Sequence, residues 1–460
     1  MARFLFASIA VPAHTTNPLP FAARLVERGH EVDWYAGRAF HDRISAVGAR
    51  PVAYGEAADF SVGDLYDHFP HLRDVTGARV IARAFAEIFV GQATRRAHDL
   101  AAHLADRPAD AMLCDELSFG VGLASEAGGP PWATFGDGPL PFPEPDTPPF
   151  GPGLLPMAGP VGRLRNRVVA AGARRVLFRP AQRAFDAARA ELGLPAAGGT
   201  FFDHAASPYL HMQGCTPAFE YPRRHLPAHV HWVGALRPDL PVAWRPPGWW
   251  DEVVAGDRPV VHVTQGTIRP DMTELVGPAV RALAGDDLLV VVTTGGPSAD
   301  DVAAAVGGPL PANVRVAPFV PYDLLAAHAA AVVTNGGYTG VTIALHHGVP
   351  LVQAGDTEEK GEIAARIHWS GVGVRLGATR PSDDAVGAAV HRVLVEPSFR
   401  AAAGRVAAEM AAHDAASEGA ELLERLAAAG APVTRDDVAT AGSGAGTPEP
   451  AVRSMDLPAG

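Results

Sequence analysis

Strand-like and helix-like segments alternate along this chain, and the alternation runs twice. A short continuous apolar run, a turn and a helix-period segment make the βαβ rhythm. That rhythm is satisfied by a parallel sheet with helices on both faces. In the first half, residues 4–11 read as a buried strand and 19–28 as a helix that Gly29 stops. Residues 31–36 form the next strand, and Ile81, Phe85, Ile88 and Phe89 share one helix face. Residues 111–114 are a further strand, ending at Asp115. Residues 136–160 are crowded with Pro and Gly and read as a long surface loop. An Arg-rich helical stretch, 161–192, follows it. The rhythm restarts after 237–247, with strands at 260–264, 288–293, 314–317, 331–334 and 350–353. Helices between and after them are expected at 271–283, 324–328, 338–347 and 358–370.

The expected organisation is therefore an α/β fold of two similar domains. They are 1–236 and 248–397, with 237–247 as linker, and both are built on parallel sheets. Helices at 398–430 follow and pack back toward the first domain. The Gly-, Ala- and Pro-rich remainder, 431–460, reads as disordered.

Composition narrows the function. The chain has 460 residues, 48% of them hydrophobic, enough for two sizeable cores. Its net charge of −12 argues against a nucleic-acid partner or an anionic membrane surface. No apolar run reaches ~18 residues, so no membrane-inserted segment is expected. The first residues lack a cleavage site and fit a buried strand better than a signal peptide. Two distant cysteines, Cys114 and Cys215, suggest a reducing, cytoplasmic location.

Open parallel sheets bind ligands at the carboxyl ends of their strands. Three loops of the second half occupy such places: Thr264-Gln265-Gly266-Thr267, Phe319-Val320-Pro321-Tyr322, and Thr334 through Gly340. In the third, Gly336 and Gly337 allow backbone to approach a ligand, and the helix that follows offers free N–H groups to a diphosphate.

The strings around that loop are Asn335-Gly336-Gly337-Tyr338-Thr339-Gly340, then Gly348-Val349-Pro350, then Glu358-Glu359-Lys360. With Asn17-Pro18 and Arg28-Gly29-His30-Glu31-Val32 upstream, they resemble the signature of family 1 glycosyltransferases, the UDP-glycosyltransferase-like enzymes. The resemblance covers residues 1 to 429. It implies the GT-B fold, two facing Rossmann-like domains with the site in the cleft between them. It also implies a hexosyltransferase of the bacterial natural-product or macrolide type. The partners would be a nucleoside diphosphate sugar, UDP or dTDP, and a small lipophilic acceptor such as a polyketide, macrolide or phenol. No cofactor and no metal are implied, the nucleotide sugar being a co-substrate.

Carried over residue by residue, the resemblance gives Phe319 and Val320 to the base. It gives Gln265, Gly266, Thr267, Asn335, Gly336, Gly337, Thr339 and Gly340 to the phosphates, and Glu359 and Lys360 to the sugar hydroxyls. There are departures. Asn335 stands where the family has His, Gly340 where it has Ser or Thr, and Lys360 where it has Gln. Ile343 falls where plant enzymes carry an acidic ribose ligand.

Transfer to a hydroxyl needs a base. In this family it is a His in H-x-N-P, oriented by an Asp at a later strand end. Here the spacing to Asn17-Pro18 puts Thr15 in the His position and His14 one residue early. His14 with Asp115 is the expected dyad. The plainer role for Asp115 is to cap the helix that follows it. Asp137, at another strand end, is the alternative base, suited to C-glycosylation. A catalytically silent homologue acting as partner or activator is a second alternative, and a sugar-nucleotide epimerase a third.

Acceptor contacts are expected from Thr15, Thr16, Phe60, Tyr66, Phe69, Phe85, Phe142 and Phe150, since pockets for such molecules are mostly apolar. His225, His229 and His231 have too few companions for a zinc site. Gly295-Gly296-Pro297 does not continue into G-x-G-x-x-G, which argues against a dehydrogenase.

Overall fold

The computed structural model describes residues 1–61, 63–72, 78–238, 244–266, 271–355 and 359–442. It holds two parallel sheets. The first sheet comprises β1 (Arg3–Ala7), β2 (Glu31–Tyr35), β3 (Arg50–Val52), β4 (Ala111–Asp115), β5 (Trp132–Gly136), β6 (Leu210–Gln213) and β7 (Val230–Trp232), in the order β3-β2-β1-β4-β5-β6-β7. The second comprises β8 (Val260–Thr264), β9 (Leu289–Thr293), β10 (Val314–Ala317), β11 (Ala329–Thr334), β12 (Leu351–Gln353) and β13 (Gly373–Arg375), in the order β10-β9-β8-β11-β12-β13. Both orders reverse beside their first strand, at β1/β4 and at β8/β11. Such reversals open a crevice at the carboxyl ends of the strands.

Alternate residues of each strand feed the two faces. Along β1, Phe4 and Phe6 enter one core, and Leu5 and Ala7 the opposite one. β3 is an edge strand of three residues, and there Pro51 is tolerated because no inner neighbour needs its missing N–H. The expected helix face at 81–89 is present, but the α-helix Ala78–Ala84 continues as a π-helix from Phe85 to Phe89.

The C-terminal helices divide between the domains. Pro397–Met410 packs on Tyr338–His346 in the second domain. Ala415–Ala429 crosses to the first and packs on Leu19–Glu27. Ala420, Leu422, Leu423 and Leu426 join the core around Phe4, Phe21 and Trp34, and Arg28 pairs with Glu424 at 2.8 Å.

The expectation of disorder beyond residue 430 is corrected as far as Gly442. Val433 donates to Tyr209 O at 2.9 Å, and Arg435 to Ala228 O at 2.9 Å. Asp437 receives the Thr434 hydroxyl at 2.6 Å and its amide at 2.9 Å, which starts the helix Arg435–Gly442. His231 is consumed by the same docking, its Nε2 bonding Val433 O at 2.9 Å. Among the described residues no cluster of three or more His, Cys, Asp or Glu side chains could hold a metal. None of their helices is long and apolar enough to cross a membrane.

Candidate active site

The two switch points face each other, and the chain crosses between them with polar contacts. On the first domain, β1 leads into a five-residue helix, Pro12–Thr16, begun by Pro12. Thr15 points inward and its hydroxyl donates to Ile9 O at 3.2 Å, while the Thr16 hydroxyl donates back to Pro12 O at 2.9 Å. The helical turn therefore presents His14, not Thr15, to the carboxylates. Its Nδ1 lies 3.3 Å from Asp137 Oδ2 and 3.5 Å from Asp115 Oδ1. These are ion-pair distances without the alignment of a hydrogen bond to either.

Asp115 ends β4 and also serves the turn after it. It accepts the Leu117 amide at 2.7 Å and the Ser118 hydroxyl at 2.7 Å. The capping role and the place beside His14 thus coexist. Burial works against ionising Asp115, but His14, Ser118 and Leu117 outweigh it and hold the carboxyl below its ordinary range. Asp137, just past β5, is pushed the other way, chiefly by burial. Burial alone would lower the His14 pKa. Asp137, Asp115 and then Glu359 reverse that and raise it to about 9. Glu359 belongs to the second domain, so His14 looks across the cleft at the residue assigned to sugar hydroxyls.

Asn17 ties the cleft together. Its Nδ2 donates to Asp137 Oδ2 at 3.3 Å and to Thr339 Oγ1 at 2.9 Å. Tyr338 reinforces the tie by accepting from Gln213 Nε2 at 3.0 Å. Beside them Arg366 pairs with Glu220 at 2.8 Å and lies over the Tyr221 ring at 4.4 Å. Glu362 Oε1 accepts the amides of Gly151 and Gly153 at 2.9 and 2.7 Å, fastening the Pro/Gly-rich loop onto the helix Lys360–Ser370. Of these, Asn17 stood inside a motif of the sequence, but nothing in the sequence pointed to its partners or to those of Arg366.

On the second domain, Gly336 has a φ of +95°, and a Cβ there would come within 3.0 Å of Gln353 Nε2. Glycine is therefore required by the turn itself. At Gly337 a Cβ would meet nothing within 4 Å, so that backbone faces open space. The helix Tyr338–His346 follows, and its first backbone bond runs from Val341 N–H to Gly337 O at 3.0 Å. The N–H groups of Tyr338, Thr339 and Gly340 precede it and stay outside the helical ladder.

The Asn335 side-chain amide donates to Gln265 O, locking the loops after β8 and β11 together. The Gln265 side chain is committed elsewhere. Its oxygen accepts the Leu275 and Val276 amides and its nitrogen donates to Asp271 O at 2.8 Å. It caps the helix Val276–Ala282. Gln265, Asn335, Gly355 and Lys360 line one pocket. Thr267 lies outside the described residues. Val320 is buried, while Phe319 stands 53% exposed after β10 with its ring free to stack.

Gly340 has a local cause. The Tyr322 ring edge lies 3.3 Å from where its Cβ would be. That ring packs edge-on against His262, and its hydroxyl lies 2.8 Å from Thr264 Oγ1. The position that usually carries a hydroxyl is thus filled by an aromatic ring.

The residues expected to meet the acceptor fall in different surroundings. Phe60, Phe69 and Phe85 are core residues, with Phe85 ringed by Phe89, Phe119, Phe178, Phe201 and Phe202. Thr15 is buried and bonded to backbone. Tyr66 is exposed on the helix Leu65–His68. Phe142 packs edge-on to His211 and His229, and Phe150 against Phe202. A loop-like sequence context does not separate an aromatic that plugs a loop onto the core from one that lines a cavity.

Comparison with known proteins agrees with this architecture. Residues 281–426 match the family described as "Erythromycin biosynthesis protein CIII-like, C-terminal domain". The chain is 43% identical over 426 residues to 4'-demethylrebeccamycin synthase of Lentzea aerocolonigenes, covering 92% of this chain and 99% of that one. It is 31% identical to UDP-glycosyltransferase 2 of Phaeomoniella chlamydospora, covering 92% and 96%. Among solved structures it resembles the calicheamicin glycosyltransferase CalG4, with TM-score 0.68 and 20% identity over 92% of this chain and 98% of that one. It also resembles glycosyltransferase VinC in complex with dTDP, with TM-score 0.65 and 24% identity over 93% and 99%.

Proposed function

The chain belongs to the family 1 glycosyltransferases of GT-B fold, in their bacterial natural-product branch, and from that premise we propose an inverting transfer from UDP- or dTDP-sugar to a small lipophilic acceptor with His14 as base. The observation that carries the reading is the placement of His14. Its Nδ1 faces Asp115 and Asp137, and the ring stands opposite Glu359 across the cleft. Nε2 is then the nitrogen left to take the acceptor's proton.

In a single displacement the acceptor's nucleophilic atom attacks the anomeric carbon, and Nε2 takes its proton. The bond from that carbon to the diphosphate oxygen breaks. Asp115 and Asp137 stabilise the imidazolium. The charge that gathers on the diphosphate meets the free N–H groups of Tyr338, Thr339 and Gly340, aided by the dipole of their helix. Lys360, which starts the next helix, adds a cation. The open backbone at Gly337 gives the phosphate room to approach. With the charge met in this way, transfer needs no divalent metal, and rates with and without EDTA should agree within about twofold.

One attack from the face opposite the leaving group inverts the anomeric centre. Proton NMR of the product made from an α-linked donor tests this. A β-linked product is expected, and an α-linked one overturns the single-displacement reading. The natural-product acceptor of the 4'-demethylrebeccamycin synthase is the first to assay.

A further inference from the structure

Arg96 lies on the helix Ala93–Asp106 with 2% of its surface exposed. Its Nε, Nη1 and Nη2 are all buried, and among the described residues none accepts a hydrogen bond from them. A guanidinium stays protonated, and an unpaired buried charge is among the costliest groups a fold can carry. The nearest carboxylate along the helix is already used. Asp99 receives the Tyr35 hydroxyl at 2.6 Å and the amides of Gly55, Glu56 and Ala57.

Its position gives the orphaned cation a meaning. Arg96 packs against Gly120, in the first turn of the helix that follows β4, so closely that a Cβ on Gly120 would come within 2.6 Å of the Arg96 Cβ. Tyr54, which donates to Ser8 O just past β1 at 2.5 Å, is near enough to feel the Arg96 charge. Arg96 therefore lies between the helix that follows β4 and Tyr54, whose hydroxyl reaches the end of β1, beside the apolar core that holds Tyr54 and Phe119.

We propose that Arg96 recognises the acceptor by binding two coplanar oxygens, a carboxylate or an enolised β-dicarbonyl, carried on an otherwise apolar ring system. The planar fork of a guanidinium matches such a pair with two parallel hydrogen bonds. The acceptor's apolar rings would exclude water from the pairing, and its anionic end would supply the missing partner. This rests on the reading of the first domain as the acceptor side.

Two matched pairs of probes test it: a hydroxynaphthoate against naphthol, and an enolised dihydroxycoumarin against umbelliferone. Binding is read by fluorescence titration, and transfer is read separately with UDP- and dTDP-glucose. Wild type should bind the oxygen-bearing member of at least one pair roughly ten- to a hundredfold more tightly. The pair that responds tells a carboxylate from a dicarbonyl. Arg96→Met should erase that preference, and Arg96→Lys, which keeps the charge without the fork, should keep only part of it. Equal binding within both pairs by wild type overturns the proposal, as does a preference that survives in Arg96→Met. Should Arg96→Met not fold, an unreduced preference in Arg96→Lys overturns the paired-oxygen recognition. Because binding is read without turnover, preserved selectivity with no transfer would sink the transferase mechanism and leave this site standing.

Discussion

At the scale of single residues, the site is a problem in charge placement. His14 is held protonated to about pH 9 by two carboxylates beside it and a third across the cleft. A base must be neutral to accept a proton, so kcat/KM should climb with pH until about 9. Asp137→Asn removes the largest raising influence on the ring. It should shift that limb toward the ordinary histidine value near 6.5, and a pH–rate profile of the two proteins checks it. Stability runs the opposite way. The folded pKa lies above the unfolded one, so the proton's contribution is complete below pH 6.5 and is lost as pH rises through 9. The melting temperature of wild type should fall across that window more steeply than that of Asp137→Asn. This cluster was only half legible in the sequence. Asp115 and Asp137 announce themselves by following strands, but motif spacing pointed to Thr15. Nothing short of the helical turn begun by Pro12 shows that His14 is the residue turned toward them.

At the scale of elements, the Gly336-Gly337 turn and the helix after it were the most legible part of the chain. Gly336 must be glycine because its φ is +95°, and Gly337 faces open space. Those local demands leave a trace in the sequence, whereas side-chain partners brought from elsewhere do not. Gln265 reads as a phosphate ligand from its strand-end position, yet its side chain caps a helix ten residues on. Gly340 reads as a lost hydroxyl, yet it makes room for Tyr322. A consequence is that Gly340→Ser, which restores the family's usual residue, should hurt. Its Cβ would press on a ring held by His262 and Thr264. We expect the KM for the nucleotide sugar to rise about three- to tenfold, with a smaller change in kcat, in steady-state assays. At the C-terminus the Gly-, Ala- and Pro-rich composition suggested disorder. A Thr434–Asp437 cap and the edge of β7 instead hold a further helix as far as Gly442.

At the scale of the molecule, alternation of strands and helices sufficed to predict two parallel-sheet domains, because a βαβ rhythm has few solutions. How the domains grip each other was not predictable, since it depends on residues far apart in sequence. Glu220 and Arg366 form a buried pair that joins them, with Arg223 also beside Glu220. Glu220→Ala would leave Arg366 without that partner in a buried interface, at a cost of about 3–5 kcal/mol. Urea unfolding should show the loss as a lower midpoint. The contacts between the domains matter because they set His14, the proposed base, toward Glu359 of the second domain. The most direct test of that arrangement is the transfer rate of His14→Ala at saturating donor, with UDP and dTDP binding measured in parallel. Catalysis by His14 predicts a fall of about 10²–10⁴ in kcat with nucleotide affinity unchanged. Transfer at the wild-type rate would contradict it.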